Sequence, residues 1–184
     1  PFSFLGSVSI SVSVSFFLPL SLSLSLSLWL VCSLGRSLAS AQNVVRHNDY
    51  YDCSVIIAGF FEFEELKDTT DGRRGAFMGD FYDTAMGSDP KVLDAMSPIH
   101  NLDKVKVPLL VIHGKADART PLAGAKKYVK ALEKTDVDFK HHFYSDEGHG
   151  MYFDENREDE FQKVQRFLNQ CDARAPLNPA LASR

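Results

Sequence analysis

Short continuous apolar runs dominate the hydrophobic pattern in the middle of the chain. Residues 53–59 and 109–112 are apolar runs bounded by Gly and polar residues, which is typical of buried strands in a parallel sheet. The run 138–144 is less apolar and indicates a strand at the edge of that sheet. Because helix-sized segments separate these runs, the pattern predicts an α/β fold.

Two segments have the period of amphipathic helices. The first, 121–134, starts with a proline that follows Thr120, and this order predicts Thr120 as the N-cap. The second, 155–170, has acidic residues at the positive end of its dipole, and its predicted buried stripe consists of Phe161, Val164, Phe167 and Leu168. Asp89 and Ser97, each followed by proline, predict the starts of two further short helical turns.

The first 34 residues carry no charged side chain, and Ser alternates with apolar residues at 7–15 and 21–28. One interpretation is translated repeat DNA, because a CT dinucleotide repeat encodes alternating Leu and Ser. A second is a signal peptide or membrane anchor, since Ala39-Ser40-Ala41 resembles a small-residue cleavage site. A third is a genuine strand, because the period is two residues.

These patterns divide the chain into a low-complexity segment at 1–41, a globular region at 42–172 and a disordered tail at 173–184. If the first segment is a real signal, we expect a secreted or membrane-associated protein, and otherwise a cytoplasmic one. A membrane is a partner only if residues 1–34 are a genuine anchor.

Composition limits the kinds of partner and site. The chain has 184 residues, a net charge of −4 and no long basic run, so we expect no nucleic-acid partner. Its three cysteines, Cys32, Cys53 and Cys171, are far apart and odd in number, which predicts neither a disulfide framework nor a zinc site. We therefore expect no metal and no cofactor.

An acid and an imidazole follow two of the predicted strands. Asp117 comes after the run 109–112, and His149 comes after the run 138–144. In open parallel sheets the chemistry collects beyond the carboxyl ends of the strands, so we expect these side chains to meet. Each has a structural alternative, since an Asp near a helix start can cap it and a His between glycines can simply form a turn. His113, which ends a strand, is expected to be a hydrogen-bonded core residue.

Four motifs, in this order, resemble the catalytic domain of the prolyl oligopeptidase family, which are serine peptidases of the α/β-hydrolase fold. They are Thr70-Asp71-Gly72-Arg73-Arg74-Gly75, Ser97-Pro98 and the segments 108–119 and 146–151, and the resemblance covers residues 48–171. It implies a partial α/β-hydrolase that contains the last three strands of a mainly parallel sheet with flanking helices. Three such strands would leave one long edge uncovered, unless residues 1–34 pair with it.

The resemblance also implies roles for three residues. Asp117 matches the triad aspartate that orients a histidine, and His149 matches the histidine that activates a serine. Arg119 matches an arginine that in some members binds a substrate carbonyl, and pairing with an acidic neighbour is its alternative role. The implied partner is a peptide substrate.

The nucleophile is missing from this pattern. A serine elbow needs Gly-x-Ser-x-Gly, because its strained turn excludes side chains at the flanking positions, and no such pentad occurs. The nearest string is Gly35-Arg36-Ser37-Leu38-Ala39, in which Ala replaces the second Gly. We therefore expect a fragment of a serine peptidase without its nucleophilic serine. An esterase or lipase of the same fold, or a non-catalytic truncated chain, are the alternatives.

Overall fold

The computed structural model describes residues 32–36, 38–63, 84 and 87–174. Within these ranges the chain forms a parallel sheet whose strands follow one another in space in the order of the sequence. The strands are β1 (Cys32–Arg36), β2 (Cys53–Ile57), β3 (Leu109–Gly114) and β4 (Phe139–Tyr144). Helices connect the strands, so the α/β prediction is confirmed.

The helices lie between and after these strands. They are α1 (Leu38–Arg46), a 3-10 helix (Asn48–Tyr50), α2 (Pro90–Met96), a second 3-10 helix (Pro98–Lys104), α3 (Leu122–Leu132) and α4 (Asp154–Arg174). The two predicted proline-led turns are α2 and the second 3-10 helix. None of the helices in the described ranges has both the length and the apolar composition needed to cross a bilayer.

Side chains of β3 alternate between two apolar layers, one on each face of the sheet. Leu109 and Val111 belong to the layer that contains residues of α1 and α3, including Tyr128. Leu110 and Ile112 belong to the layer that contains residues of α4. Because both faces are covered, every residue of β3 is buried, and this explains why its sequence is continuously apolar rather than alternating.

Strand β1 enlarges the sheet beyond the three strands expected from the sequence. It pairs with β2 in a register that sets Cys32 opposite Cys53, and so covers the edge of β2 that three strands would expose. The predicted division between residues 41 and 42 falls inside α1, and α4 continues to Arg174, within the predicted tail. Residues 1–31 and 175–184 lie outside the described ranges, so the nature of both segments stays a prediction.

Two local predictions about helices are wrong. Phe161 is 64% exposed and Phe167 is 5% exposed, so the buried stripe of α4 passes through Phe167 but not through Phe161. Its buried face follows Glu160, Phe167 and Cys171, and Phe161 lies about 100° around the helix from Glu160. Nor is Thr120 the N-cap of α3, because Pro121 takes that position and Thr120 uses its hydroxyl elsewhere.

Candidate active site

Two loops lie side by side at the carboxyl end of the sheet, one after β3 and one after β4. Backbone hydrogen bonds join them, since Lys115 N donates to Tyr144 O at 2.7 Å and Ala116 N donates to Glu147 O at 2.9 Å. These bonds continue the pairing of β3 with β4 beyond the end of the strands. The relative position of the two loops is therefore set by main-chain atoms rather than by side chains.

Gly114 permits this close approach. A Cβ atom at this position would overlap the backbone oxygens of Glu147 and Gly148, which cannot turn away as a flexible side chain could. The last residue of β3 must therefore lack a side chain if the second loop is to pack against it.

Asp117 and His149 meet across these loops. His149 Nδ1 donates to Asp117 Oδ2 at 2.9 Å. The Asp117 side chain is 0% exposed and that of His149 is 27% exposed, so the acid is sealed while the imidazole reaches the surface. In a neutral ring with its proton on Nδ1, Nε2 is an acceptor, which is the tautomer that a general base requires.

Hydrogen bonds from its own loop hold the Asp117 carboxylate in the ionised form. Oδ1 accepts from the backbone N–H groups of Arg119 and Thr120, both at 2.8 Å, and Oδ2 accepts from the Thr120 hydroxyl at 2.7 Å. Burial would raise the pKa of this carboxyl, but the bonds from Thr120, His149 and Arg119 outweigh it and lower the pKa below its ordinary value.

Glu147 fixes the shape of the loop that carries the imidazole. Its carboxylate is buried and accepts from Tyr152 N at 2.7 Å, Phe153 N at 3.0 Å and Asn156 Nδ2 at 2.9 Å. Burial acts to raise the pKa of Glu147, but these bonds and the positive charge of Arg157 lower it below the ordinary value. Because Tyr152 and Phe153 directly precede α4 and Asn156 lies in its first turn, Glu147 ties the loop to that helix.

The other two candidate residues have different environments. Arg119 is exposed, and its backbone N–H is the part that contacts Asp117. His113 is 0% exposed, and its Nε2 donates to Thr120 O at 2.7 Å, so it is a hydrogen-bonded core residue as predicted. Burial lowers the pKa of His113 despite that bond and the nearby charge of Asp117, which keeps the ring neutral.

The sequence did not identify the roles of Thr120 and Glu147. Both lie within two or three residues of the predicted pair, and this proximity is the signal that could have drawn attention to them. Ser37 and the motif at 70–75 lie outside the described residues. In the part of the chain that is described, no group of three or more His, Cys, Asp or Glu side chains could hold a metal ion.

A cavity with a volume of about 500 Å³ lies at the amino ends of β3 and β4, with Lys106, Pro108 and Asp138 among its lining residues. The Asp117–His149 pair lies at the opposite end of the strands and does not line this cavity.

A parallel sheet with an Asp–His pair in the loops beyond its last two strands defines the chain as part of an α/β-hydrolase domain. Solved structures support this fold. An acylaminoacyl peptidase from Pyrococcus horikoshii matches with a TM-score of 0.69 at 16% identity, covering 80% of this chain and 25% of that one. A puromycin-hydrolysing peptidase from Mycobacterium tuberculosis also matches with a TM-score of 0.69 at 16% identity, covering 79% of this chain and 22% of that one.

A model of the prolyl oligopeptidase family matches residues 33–174, and the chain therefore belongs to that family. Dipeptidyl peptidase family member 6 of Caenorhabditis elegans is 34% identical over 79 residues, which are 43% of this chain and 11% of that protein. Dipeptidyl aminopeptidase BIII of Pseudoxanthomonas mexicana is 28% identical over 127 residues, which are 67% of this chain and 18% of that protein. The chain thus spans less than a fifth of the length of either relative, and the resemblance stated from the sequence is confirmed.

Proposed function

We propose that Asp117 and His149 are the acid–base pair of a serine-type peptidase, which hydrolyses peptide bonds in the complete enzyme. The observation that supports this most is the 2.9 Å hydrogen bond from His149 Nδ1 to the buried carboxylate. It orients a partly exposed ring with Nε2 as its acceptor, as proton transfer from a serine requires.

The proposed reaction follows from this geometry. As a serine oxygen attacks the peptide carbonyl carbon, His149 Nε2 takes the hydroxyl proton, and the resulting imidazolium is stabilised by the negative charge of Asp117. The same Nε2 then returns the proton to the leaving amine when the carbon–nitrogen bond breaks. Water, activated by Nε2 in the same way, releases the acyl group from the serine.

Arg119 is proposed to bind a substrate carbonyl. It is exposed and lies two residues after Asp117. Its backbone N–H donates to Asp117 Oδ1, and this bond fixes the main chain from which the Arg119 side chain extends. The relatives named above are peptidases by description, which favours a peptide over the ester of the alternative hypothesis.

The nucleophile is proposed to come from outside the described residues. Ser40, Ser54 and Ser97 are buried, so none of them can attack a substrate. Ser88 and Ser145 are exposed, but within the described ranges neither lies in a turn that leads directly from a strand into a helix, where a serine elbow occurs.

Ser37 is one candidate among the residues that are not described, because in the sequence it stands between the end of β1 at Arg36 and the start of α1 at Leu38. A strand-to-helix turn is where a serine elbow occurs, but the second glycine of the pentad is Ala39 here.

The acid–base pair can be tested on the full chain without a nucleophile. We expect a downfield proton NMR resonance from Nδ1–H of His149 that disappears in Asp117→Asn. If wild-type protein shows no such resonance, the proposed pairing is refuted.

A fluorophosphonate probe then locates the nucleophile. We compare wild type, Ser37→Ala, His149→Ala and Ala39→Gly, the last of which restores the glycine of the pentad. Labelling at Ser37 that falls by about 100-fold or more in His149→Ala would identify Ser37 as the nucleophile. Absence of labelling in all variants would support a fragment that lacks its serine, while labelling that does not depend on His149 would contradict the acid–base role.

A further inference from the structure

The Thr120 hydroxyl lies where three strands end. Its Oγ1 is 2.7 Å from Asp117 Oδ2 after β3, 3.3 Å from His149 Nδ1 after β4 and 3.5 Å from Ala58 O after β2. A hydroxyl has a single proton to donate, and the shortest of these distances, together with the negative charge, directs it to Asp117 Oδ2. The Nδ1–H of His149 points to the same carboxylate oxygen, so Thr120 and His149 share one acceptor.

The backbone of Thr120 is fixed as tightly as its hydroxyl. Its N–H donates to Asp117 Oδ1 at 2.8 Å, and its carbonyl accepts from the Nε2 of the buried His113 at 2.7 Å. His113 lies in β3, so this hydrogen bond fixes the loop that carries Asp117 to the strand that precedes it. Thr120 therefore contacts both oxygens of the Asp117 carboxylate, and hydrogen bonds at its N–H and its carbonyl fix its own position.

Two donors on one residue restrict rotation of the carboxylate. The backbone N–H donates to Oδ1, and the hydroxyl donates to Oδ2. Together they keep Oδ2 within 2.9 Å of His149 Nδ1. Without the hydroxyl, Oδ2 would lose its shortest hydrogen bond and would be held only by the partly exposed imidazole of His149, so its position would depend on the ring that it is meant to orient. A helix-capping role does not account for this arrangement, because the hydroxyl makes no capping bond to α3.

We infer that Thr120 is a positioning residue for the reaction, whose hydroxyl orients the Asp117 carboxylate towards His149. This inference rests on the acid–base pair proposed above. Thr120 acts through Asp117 and exchanges no proton with the substrate. By keeping Oδ2 charged and in place, it strengthens the stabilisation of the imidazolium that forms when Nε2 takes a proton.

The test replaces Thr120 with Val, which has the same shape but lacks the hydroxyl, and with Ser, which keeps the hydroxyl. Thr135→Val is the matched control, since the Thr135 hydroxyl donates a hydrogen bond of the same length, 2.7 Å, but to Leu132 O at the far end of α3, away from Asp117 and His149. Two site-specific properties are measured by NMR on the full chain, namely the Nδ1–H resonance of His149 and the titration of the Asp117 carboxyl carbon.

We expect Thr120→Val to shift or broaden the Nδ1–H resonance and to raise the pKa of Asp117 towards that of an ordinary aspartate. Thr120→Ser should restore both properties, and Thr135→Val should leave both unchanged even if it lowers stability. The inference is overturned if Thr120→Val keeps the wild-type resonance and titration, or if Thr120→Ser behaves like Thr120→Val. Failure of the proposed function looks different, because the Asp117-dependent resonance would then be missing from wild type itself.

Discussion

Replacing Glu147 with Gln should destabilise the protein in a way that depends on pH. The two side chains have the same shape, but the amide has one acceptor oxygen where the carboxylate has two. Oε1 accepts from Phe153 N and Asn156 Nδ2, whereas Oε2 accepts from Tyr152 N. We expect the glutamine oxygen to accept from Phe153 N and Asn156 Nδ2, because that orientation keeps two hydrogen bonds. The NH₂ group then faces the N–H of Tyr152, and two donors cannot bond to each other.

The magnitude follows from what is lost. One charge-assisted hydrogen bond disappears, and the partly buried N–H of Tyr152 loses its acceptor, which together cost about 1.5–3 kcal/mol at neutral pH. The folded-state pKa of Glu147 is lowered below its unfolded value, so the stabilisation by the carboxylate is fully present above the unfolded pKa of about 4.3. It is lost as the pH falls through the folded pKa.

Urea denaturation followed by circular dichroism at several pH values measures this effect. The difference in unfolding free energy between wild type and Glu147→Gln should be largest near pH 7. It should begin to narrow below about pH 4.3, where Glu147 of the unfolded chain takes up a proton, and should be smallest below the folded-state pKa. Asp146→Asn is the matched control, since the neighbouring carboxylate is exposed, and we expect it to change stability by less than about 0.5 kcal/mol. Equal effects of the two variants at pH 7, or a gap that widens in acid, would refute the reasoning.

Five further substitutions, at four positions, test the fold by the same denaturation assay. Gly114→Ala should lower the unfolding free energy by about 1–3 kcal/mol, because its methyl group meets backbone oxygens of the neighbouring loop, and a neutral effect would disprove that contact. Phe167→Ala should cost about 3–5 kcal/mol and Phe161→Ala less than about 0.5 kcal/mol, since only the first side chain is buried; similar costs would contradict the orientation of α4. Asp89→Ala should cost about 1 kcal/mol through loss of the hydrogen bond from Lys91 N, while Asp89→Asn should retain most of it.

Local pattern was sufficient to predict the strands that form the centre of the sheet. A strand covered on both faces is apolar at most positions, so β2 and β3 are recognisable as largely continuous apolar runs without any knowledge of their partners. The meeting of Asp117 and His149 was also predictable, because the carboxyl ends of neighbouring parallel strands lie at one edge of the sheet.

Other features depend on contacts between distant parts of the chain. Strand β1 is recognisable only once β2 is beside it, because it follows a repetitive segment whose pattern suits several interpretations. Phe161 has the same helical spacing as buried neighbours, and only the packing of α4 on the sheet decides that it faces solvent.

The sequence by itself determined the order of β2, β3 and β4, the helices α3 and α4 that follow β3 and β4, and the two side chains that meet beyond the last two strands. Tertiary structure alone decided the roles of Thr120 and Glu147. A hydroxyl before a proline can cap a helix or hold a carboxylate, and a glutamate in a turn can be solvated or buried. The choice depends on which donors and acceptors the fold brings within 3 Å. For Thr120 these include the His113 imidazole of β3, and for Glu147 they include Asn156 in the first turn of α4.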